Sequence, residues 1–438
     1  MLKKINLVNY RLFNKLELDL SKTKQEVSKV VVIYGENGAG KTTIISAIHF
    51  LQNTLVTLLH QESFNEFIES KKFEDIDKEQ LYDFLRDRHF FLEHEIKKNK
   101  KIDSKDNMVL EYNFIINGND LSYKMEFSND EIIGEEMYYV LDKKKTEYFK
   151  INKNEIRLNE KVFIDTYFRN DLLQKIKRLH GKHTFLAILN NELQKNNHSY
   201  VRNRLIRKFI DIYNELSRCQ VWCKYTDLEE GTLEVRKIVL SKLDEGIINQ
   251  NELNKMLKTQ NALSIYFSSL FKDIKNVEYD YKLDKGKISY KLFFNKIVNN
   301  EIIKVPYDLE STGIMKILRL FHYLYGFFQK NLVFIDEIDS GIHDLLMSDI
   351  IVSMEKQGNG QLIITTHNTH LMNKVDPDSV YVLNKDNNGI TEIKSVPNIR
   401  RIQNNNNVSK LYLKGEFNGI PRAINLNFTD IHNELQKK

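Results

Sequence analysis

The stretch Gly35-Glu36-Asn37-Gly38-Ala39-Gly40-Lys41-Thr42 fits the pattern G-x-x-x-x-G-K-[ST], and its flanks restrict what it can be. Before it, residues 29–35 form a valine-rich apolar run of buried-strand length, closed by a glycine. After it, residues 42–59 are apolar at Ile44, Ile45, Ile48, Leu51, Leu55 and Leu58, the spacing of one helix face. A strand, a glycine loop and a helix in that order aim backbone N–H groups and the positive helix end at one point, which suits phosphate. Lys41 supplies charge to the β- and γ-phosphates, and Thr42 offers its hydroxyl to Mg²⁺. Contacts to ATP are therefore expected from Asn37, Gly38, Ala39, Gly40, Lys41, Thr42 and Thr43.

Two later stretches complete a nucleotide site. In Leu332-Val333-Phe334-Ile335-Asp336-Glu337, four apolar residues bury a strand and two carboxylates emerge at its end. Asp336 is expected in the Mg²⁺ shell. Glu337 is expected to act as general base on the attacking water. In "LIITTHNTHLM" (362–372), His367 closes a buried strand, where a polar side chain suggests a chemical role, either positioning the water or sensing hydrolysis. The plainer alternative is a hydrogen-bonded structural histidine. His370 reads as incidental.

The pattern along the chain implies an α/β P-loop NTPase. Residues 1–165 hold the P-loop and β-hairpins, with Asn117-Gly118-Asn119-Asp120 a strong turn signal. Residues 166–275 read as a charged helical insertion. Residues 276–400 return to strands and helices, and 401–438 form a tail. The alternation around 332–367 predicts a parallel sheet covered by helices, beside an antiparallel β subdomain. Ser311, Thr312 and Gly313 precede an apolar-periodic run from Ile314 to Tyr325 and read as a helix cap.

Taken together, "GENGAGKTT", "ESTGIMKIL", "FIDEIDSGIHDLL", "TTHNTHLM" and "LYLKGEFNGIP" resemble ABC-type ATPases of the SMC/Rad50/OLD-like branch, in particular abortive-infection ATPases of the AbiL/Rlo type. The resemblance implies an ATPase head in which two copies sandwich two ATP molecules, as a homodimer or a higher oligomer. Ser311, Thr312 and Gly313 of one copy would then cover the nucleotide on the P-loop of the other. This stretch keeps the serine and one glycine of the LSGGQ form, but has Ile314 and Met315 after the glycine, a departure from the SGT-K-K that the family often shows. Asp339 matches the D-loop residue that crosses the dimer interface. "NYRLF" (9–13) resembles an N-terminal element that makes Arg11 a nucleotide-contact candidate. No Q-loop residue is placed, and His343 has no assigned role. The resemblance further implies antiphage defence with a TOPRIM/OLD-like nuclease as effector partner. A DNA-binding SMC/Rad50-like repair ATPase is the alternative, though the 166–275 insertion lacks a sustained heptad. A slow ATP clamp is a third reading.

Composition sets the remaining bounds. Of 438 residues, 41% are hydrophobic and 29% charged, enough for two or three structural units. The net charge of +5 permits nucleic acid without arguing for it. Basic clusters at 97–101, 143–145 and 202–208 read as solvated faces in preference to phosphate-binding ones. Cys219 and Cys223 read as two free thiols in a reducing compartment, or less simply as half of a zinc site with His180 and His183. The start lacks the apolar core of a signal peptide, and no run of about 18 apolar residues suggests a membrane span. A soluble cytoplasmic protein without a membrane partner is expected.

Overall fold

The structure is a computed structural model that describes residues 1–69, 91–195, 198–223, 233–386, 388–403, 406–420 and 427–436. The chain opens with β1 (Leu2–Tyr10), β2 (Phe13–Asp19) and β3 (Val30–Gly35). Helix α1 (Lys41–Thr54) follows the glycine loop. Four long strands come next: β4 (Met108–Ile116), β5 (Asn119–Phe127), β6 (Ile132–Leu141) and β7 (Lys144–Asn152), with the short β8 (Ile156–Leu158) after them. They form a seven-stranded antiparallel sheet in the order β2-β1-β4-β5-β6-β7-β8. Asn117 and Gly118 both have positive φ, 48° and 75°, the geometry of the tight hairpin turn expected there.

The stretch 166–275 is not wholly helical. It holds α2 (Phe185–Lys195) and α3 (Leu253–Leu270), but also strands β9 (Cys219–Trp222) and β10 (Glu245–Asn249). The reason for β9 is a period of two confined to five residues. Cys219, Val221 and Cys223 join one core cluster, while Trp222 points into the other. Beyond lie β11 (Ile274–Asp284), β12 (Lys287–Val298) and β13 (Glu301–Pro306), which pair with β10 as a small antiparallel sheet. Then come α4 (Thr312–Phe328), β14 (Leu332–Ile335), α5 (Asp344–Gln357) and β15 (Gln361–Thr365). Strands β16 (Val380–Lys385) and β17 (Thr391–Ser395) end the series.

The central sheet runs β17-β16-β3-β15-β14-β9, and only its β17 edge is antiparallel. Every residue of β3, β14 and β15 is buried, because both faces of the sheet are covered. Val31, Ile33, Phe334 and Ile363 face the large antiparallel sheet and α1. Val32, Ile335, Leu362 and Ile364 face α4, α5 and the small sheet. Two cores therefore meet across one parallel sheet, and the P-loop, Asp336 and Thr365 all leave that sheet at the C-terminal ends of its strands, where open α/β sheets place ligands.

The tail folds back on this layer. Tyr412 lies 5.8 Å from the Tyr34 ring and donates its hydroxyl to Gly419 O at 2.8 Å, while Asn384 Nδ2 donates to Phe417 O at 3.1 Å. The described part of the 415–421 stretch is thus a glycine-rich clasp on β16; Pro421 lies outside the described residues. No described helix is long and apolar enough to cross a membrane by itself.

Candidate nucleotide site

The glycine loop turns as its sequence requires. Gly38 and Gly40 have φ of 79° and 111°, and Gly40 is the left-handed cap of α1. A Cβ on Gly40 would stand 2.6 Å from the Phe13 ring, so the β1–β2 turn lies directly on the loop. Asn37, Gly38 and Ala39 form the turn between β3 and α1, and the Thr43 side chain is buried in the first helical turn. Lys41 Nζ donates to Gly35 O at 2.7 Å and to Glu36 O at 3.1 Å. Burial pushes its pKa down, and the carboxylates of Asp336, Glu337, Asp339 and Glu36 oppose that.

Asp336 sits at the meeting point of three chain segments. Thr42 Oγ1 donates to its Oδ2 at 2.6 Å, and Thr365 Oγ1 donates to its Oδ1 at 2.6 Å. The same Thr365 oxygen accepts from Glu337 N at 2.8 Å. Glu337 itself has φ of 47° with an exposed side chain. A left-handed glutamate costs about 1–2 kcal/mol, so the bonds around it hold a strained backbone. Thr42 and Asp336 present a hydroxyl and a carboxylate side by side, the hard oxygen donors that Mg²⁺ prefers, and they fit that ion. Among the described residues no group of three or more His, Cys, Asp or Glu could hold a metal.

A cleft of about 570 Å³ opens beside this point, lined among others by Thr42, Trp222, Thr312, Lys316, Asp336 and Glu337. The helix start expected to reach a second copy thus borders the cleft of its own chain through Thr312. Ser311 is the N-cap of α4, its hydroxyl accepting from Ile314 N at 3.3 Å, so the cap expectation holds. Ser311 and Thr312 are exposed, and Gly313 packs against Gly341.

Three expectations change in detail. His367 does not close a buried strand: β15 ends at Thr365, and the His367 side chain is exposed, with its N–H 3.3 Å from Asp339 Oδ2. The residue buried at that strand end is Thr365, which sequence reasoning missed. Arg11 is engaged locally, its Nε donating to Asn99 Oδ1 at 2.7 Å and its guanidinium 5.9 Å from the Tyr10 ring. The zinc arrangement does not form, because the His183 ring is held by Thr57 and Gln61 at 3.0 and 2.7 Å. Cys219 and Cys223 are buried thiols with no disulfide, and burial pushes Cys219 up to about 12. Lys316 and Trp222 are two further residues of the cleft with no sequence signal. Trp222 closes β9 beside the carboxylate-bearing β14, but only its contacts show that.

The basic clusters are partly tied down within the fold. Arg204 pairs with Asp165 at 3.1 Å and stacks on Tyr200, Lys97 pairs with Glu93, and Lys100 donates to Asn129.

Residues 30–373 match the family described as "AAA domain, putative AbiEii toxin, Type IV TA system". Endonuclease GajA of Bacillus cereus (strain HuB5-5) is 22% identical over 427 aligned positions, which cover 85% of this chain and 58% of that protein. The chain therefore spans less than two thirds of this relative's length. Similar solved structures include the SmcHead bound to the C-winged helix domain of ScpA, with a TM-score of 0.46 and 14% identity, covering 92% of this chain and 99% of that one. The SMC head domain from Thermotoga maritima has a TM-score of 0.37 at 16% identity, covering 90% and 98%.

Proposed function

The chain belongs to that AAA-domain family, and on this premise we propose that it is a Mg²⁺-dependent ATPase whose copies pair around ATP and whose state is read by an effector, a nuclease, in antiphage defence. The observation that carries the ATPase reading is the pair of 2.6 Å hydrogen bonds joining Asp336 to Thr42 and to Thr365. Side chains 294 and 29 residues away in sequence converge on one carboxylate, at the mouth of a cleft that begins at the P-loop.

The residues then divide the chemistry among them. The N–H groups from Asn37 to Thr43 hold the phosphates, and Lys41 exchanges the carbonyls of Gly35 and Glu36 for phosphate oxygens. Thr42 and Asp336 would hold Mg²⁺, which would supply positive charge to offset that of the phosphates. Glu337 takes a proton from water as the water oxygen attacks the γ-phosphorus and the bond to ADP breaks. His367 sits exposed at the rim, its backbone tethered to Asp339, where it orients that water. Ser311, Thr312 and Gly313 offer free N–H groups to the nucleotide of the second copy. The effector reading is supported by the match to a protein named an endonuclease, of which this chain spans 58%.

Glu337→Gln is the direct test. Turnover should fall by about a hundredfold or more while ATP still binds, and the locked form should dimerise and retain the effector on copurification. Parent-level turnover in Glu337→Gln overturns the role of that carboxylate. Ser311→Arg should leave ATP binding to one copy intact and block ATP-dependent pairing; normal pairing reduces 311–313 to a helix cap.

A further inference from the structure

The structure assigns Lys316 as a positioning residue that ties the start of α4 to the Glu337 loop of its own chain, so that contact at residues 311–313 and proton transfer at Glu337 are mechanically coupled. The inference rests on the ATPase reading above. Lys316 lies on α4 just over one turn beyond the Ser311 cap. Its ammonium donates to Glu337 O at 2.7 Å and to Ser340 Oγ at 2.6 Å. The same Glu337 carbonyl accepts from Ser340 N at 3.1 Å, closing the turn that Lys316 clamps from outside.

A second contact joins the same two segments. A Cβ on Gly313 would lie 2.8 Å from Gly341 O, so the first turn of α4 sits flush on the end of the 337–341 loop. Only glycine permits this approach. Helix and loop thus touch at both ends of the loop, Glu337 and Gly341. On the far side, the Lys316 ammonium lies 5.5 Å from the Trp222 ring, which stacks on Tyr323 with centroids 5.5 Å apart. The lysine is therefore held between an aromatic wall and the loop, and its position is set by the helix.

The chemical choice of lysine also has a reason. Burial pushes its pKa down, and the carboxylates of Asp339, Glu337 and Asp336 oppose that. An apolar side chain at this spot would have no N–H for the Glu337 carbonyl or the Ser340 hydroxyl. Glu337, left-handed at φ 47°, is thus anchored twice: its N–H to Thr365, its carbonyl to Lys316. Movement of α4 when its N-terminus meets a nucleotide shifts the second anchor and with it the base.

Lys316→Met tests this, since it keeps the apolar stem and removes the donor. The expected result is a kcat lowered about tenfold to a hundredfold, with KM and the ATP Kd within about threefold of the parent. Lys316→Arg should recover much of the loss, and Ser340→Ala, which removes one acceptor at an exposed site, should lower kcat more mildly without unfolding risk. A Lys316→Met enzyme with parent kcat, beside an inactive Glu337→Gln, overturns the positioning role and leaves the ATPase reading standing. A rise in KM with unchanged kcat also overturns it, because that marks a ground-state binding residue. Parent-level turnover in Glu337→Gln defeats the underlying reading instead.

Discussion

Thr365→Val isolates the hydroxyl on which the site is built. The side chain is fully buried, and valine has nearly its shape. The hydroxyl gives one bond to a carboxylate at 2.6 Å and takes one from Glu337 N at 2.8 Å. A bond to a charged group contributes about 1.5–3 kcal/mol and a neutral one about 0.5–1.5, so the loss is about 2–4 kcal/mol. The added valine methyl offsets up to about 1 kcal/mol of this through burial. A net destabilisation of about 2–3 kcal/mol should appear as a lower urea midpoint followed by circular dichroism. The second consequence is local. With its N–H unpaired, Glu337 loses one of the bonds that offset its left-handed backbone, and kcat should fall about tenfold to a hundredfold. Thr365→Ser keeps the hydroxyl and loses only a methyl, so it should stay near the parent in kcat and lose about 1 kcal/mol or less. A valine variant that matches the parent in midpoint and kcat, or a serine variant that fails as badly as valine, refutes this role for the hydroxyl.

His183 makes stability depend on pH. Burial pushes it down to about 4, against about 6.5 in the unfolded chain, so the unfolded state binds more protons between those values and stability falls as pH drops through that window. The loss should reach about 2 kcal/mol at pH 5, read as a urea midpoint against pH 7, and His183→Gln should flatten the slope. Glu135 is a buried carboxylate that accepts from Tyr123 Oη at 2.8 Å and from Phe185 N at 2.6 Å at the start of α2. Glu135→Ala should cost about 3 kcal/mol or more by thermal or urea unfolding, because it strands three buried donors, the hydroxyl of Tyr123 and the N–H groups of Phe185 and Leu186 at the helix start; a change below about 1 kcal/mol would contradict this account.

What the sequence made legible was local. The P-loop carries its whole meaning in eight consecutive residues, and Asp336-Glu337 follows an apolar run that can only be a strand. The Ser311 cap and the Asn117-Gly118 turn are likewise decided by neighbours. Thr365 and Lys316 could not be read the same way. Their roles exist only because β15 lies beside β14 and α4 lies on the 337–341 loop, and a threonine in "IITTH" or a lysine in "GIMKIL" has no spacing that reveals it. Strand β9 was hidden for another reason. Its period of two lasts five residues, directly after the helix Arg207–Ser217, and the longer pattern dominates. His367 misled because "LIITTH" looks like one strand, whereas the ladder ends two residues earlier.

The position of β3 has a consequence for synthesis. Its two neighbours in the sheet, β15 and β16, are encoded far downstream: about 350 residues separate Gly35 from Lys385. At 5–20 residues per second, a ribosome needs roughly 20–70 s to supply them. Until β15 is made, this fully buried, valine-rich strand has both hydrogen-bonding edges open. The nucleotide pocket therefore cannot assemble during most of translation, and messages truncated before β16 should yield aggregation-prone fragments that engage chaperones instead of ATP.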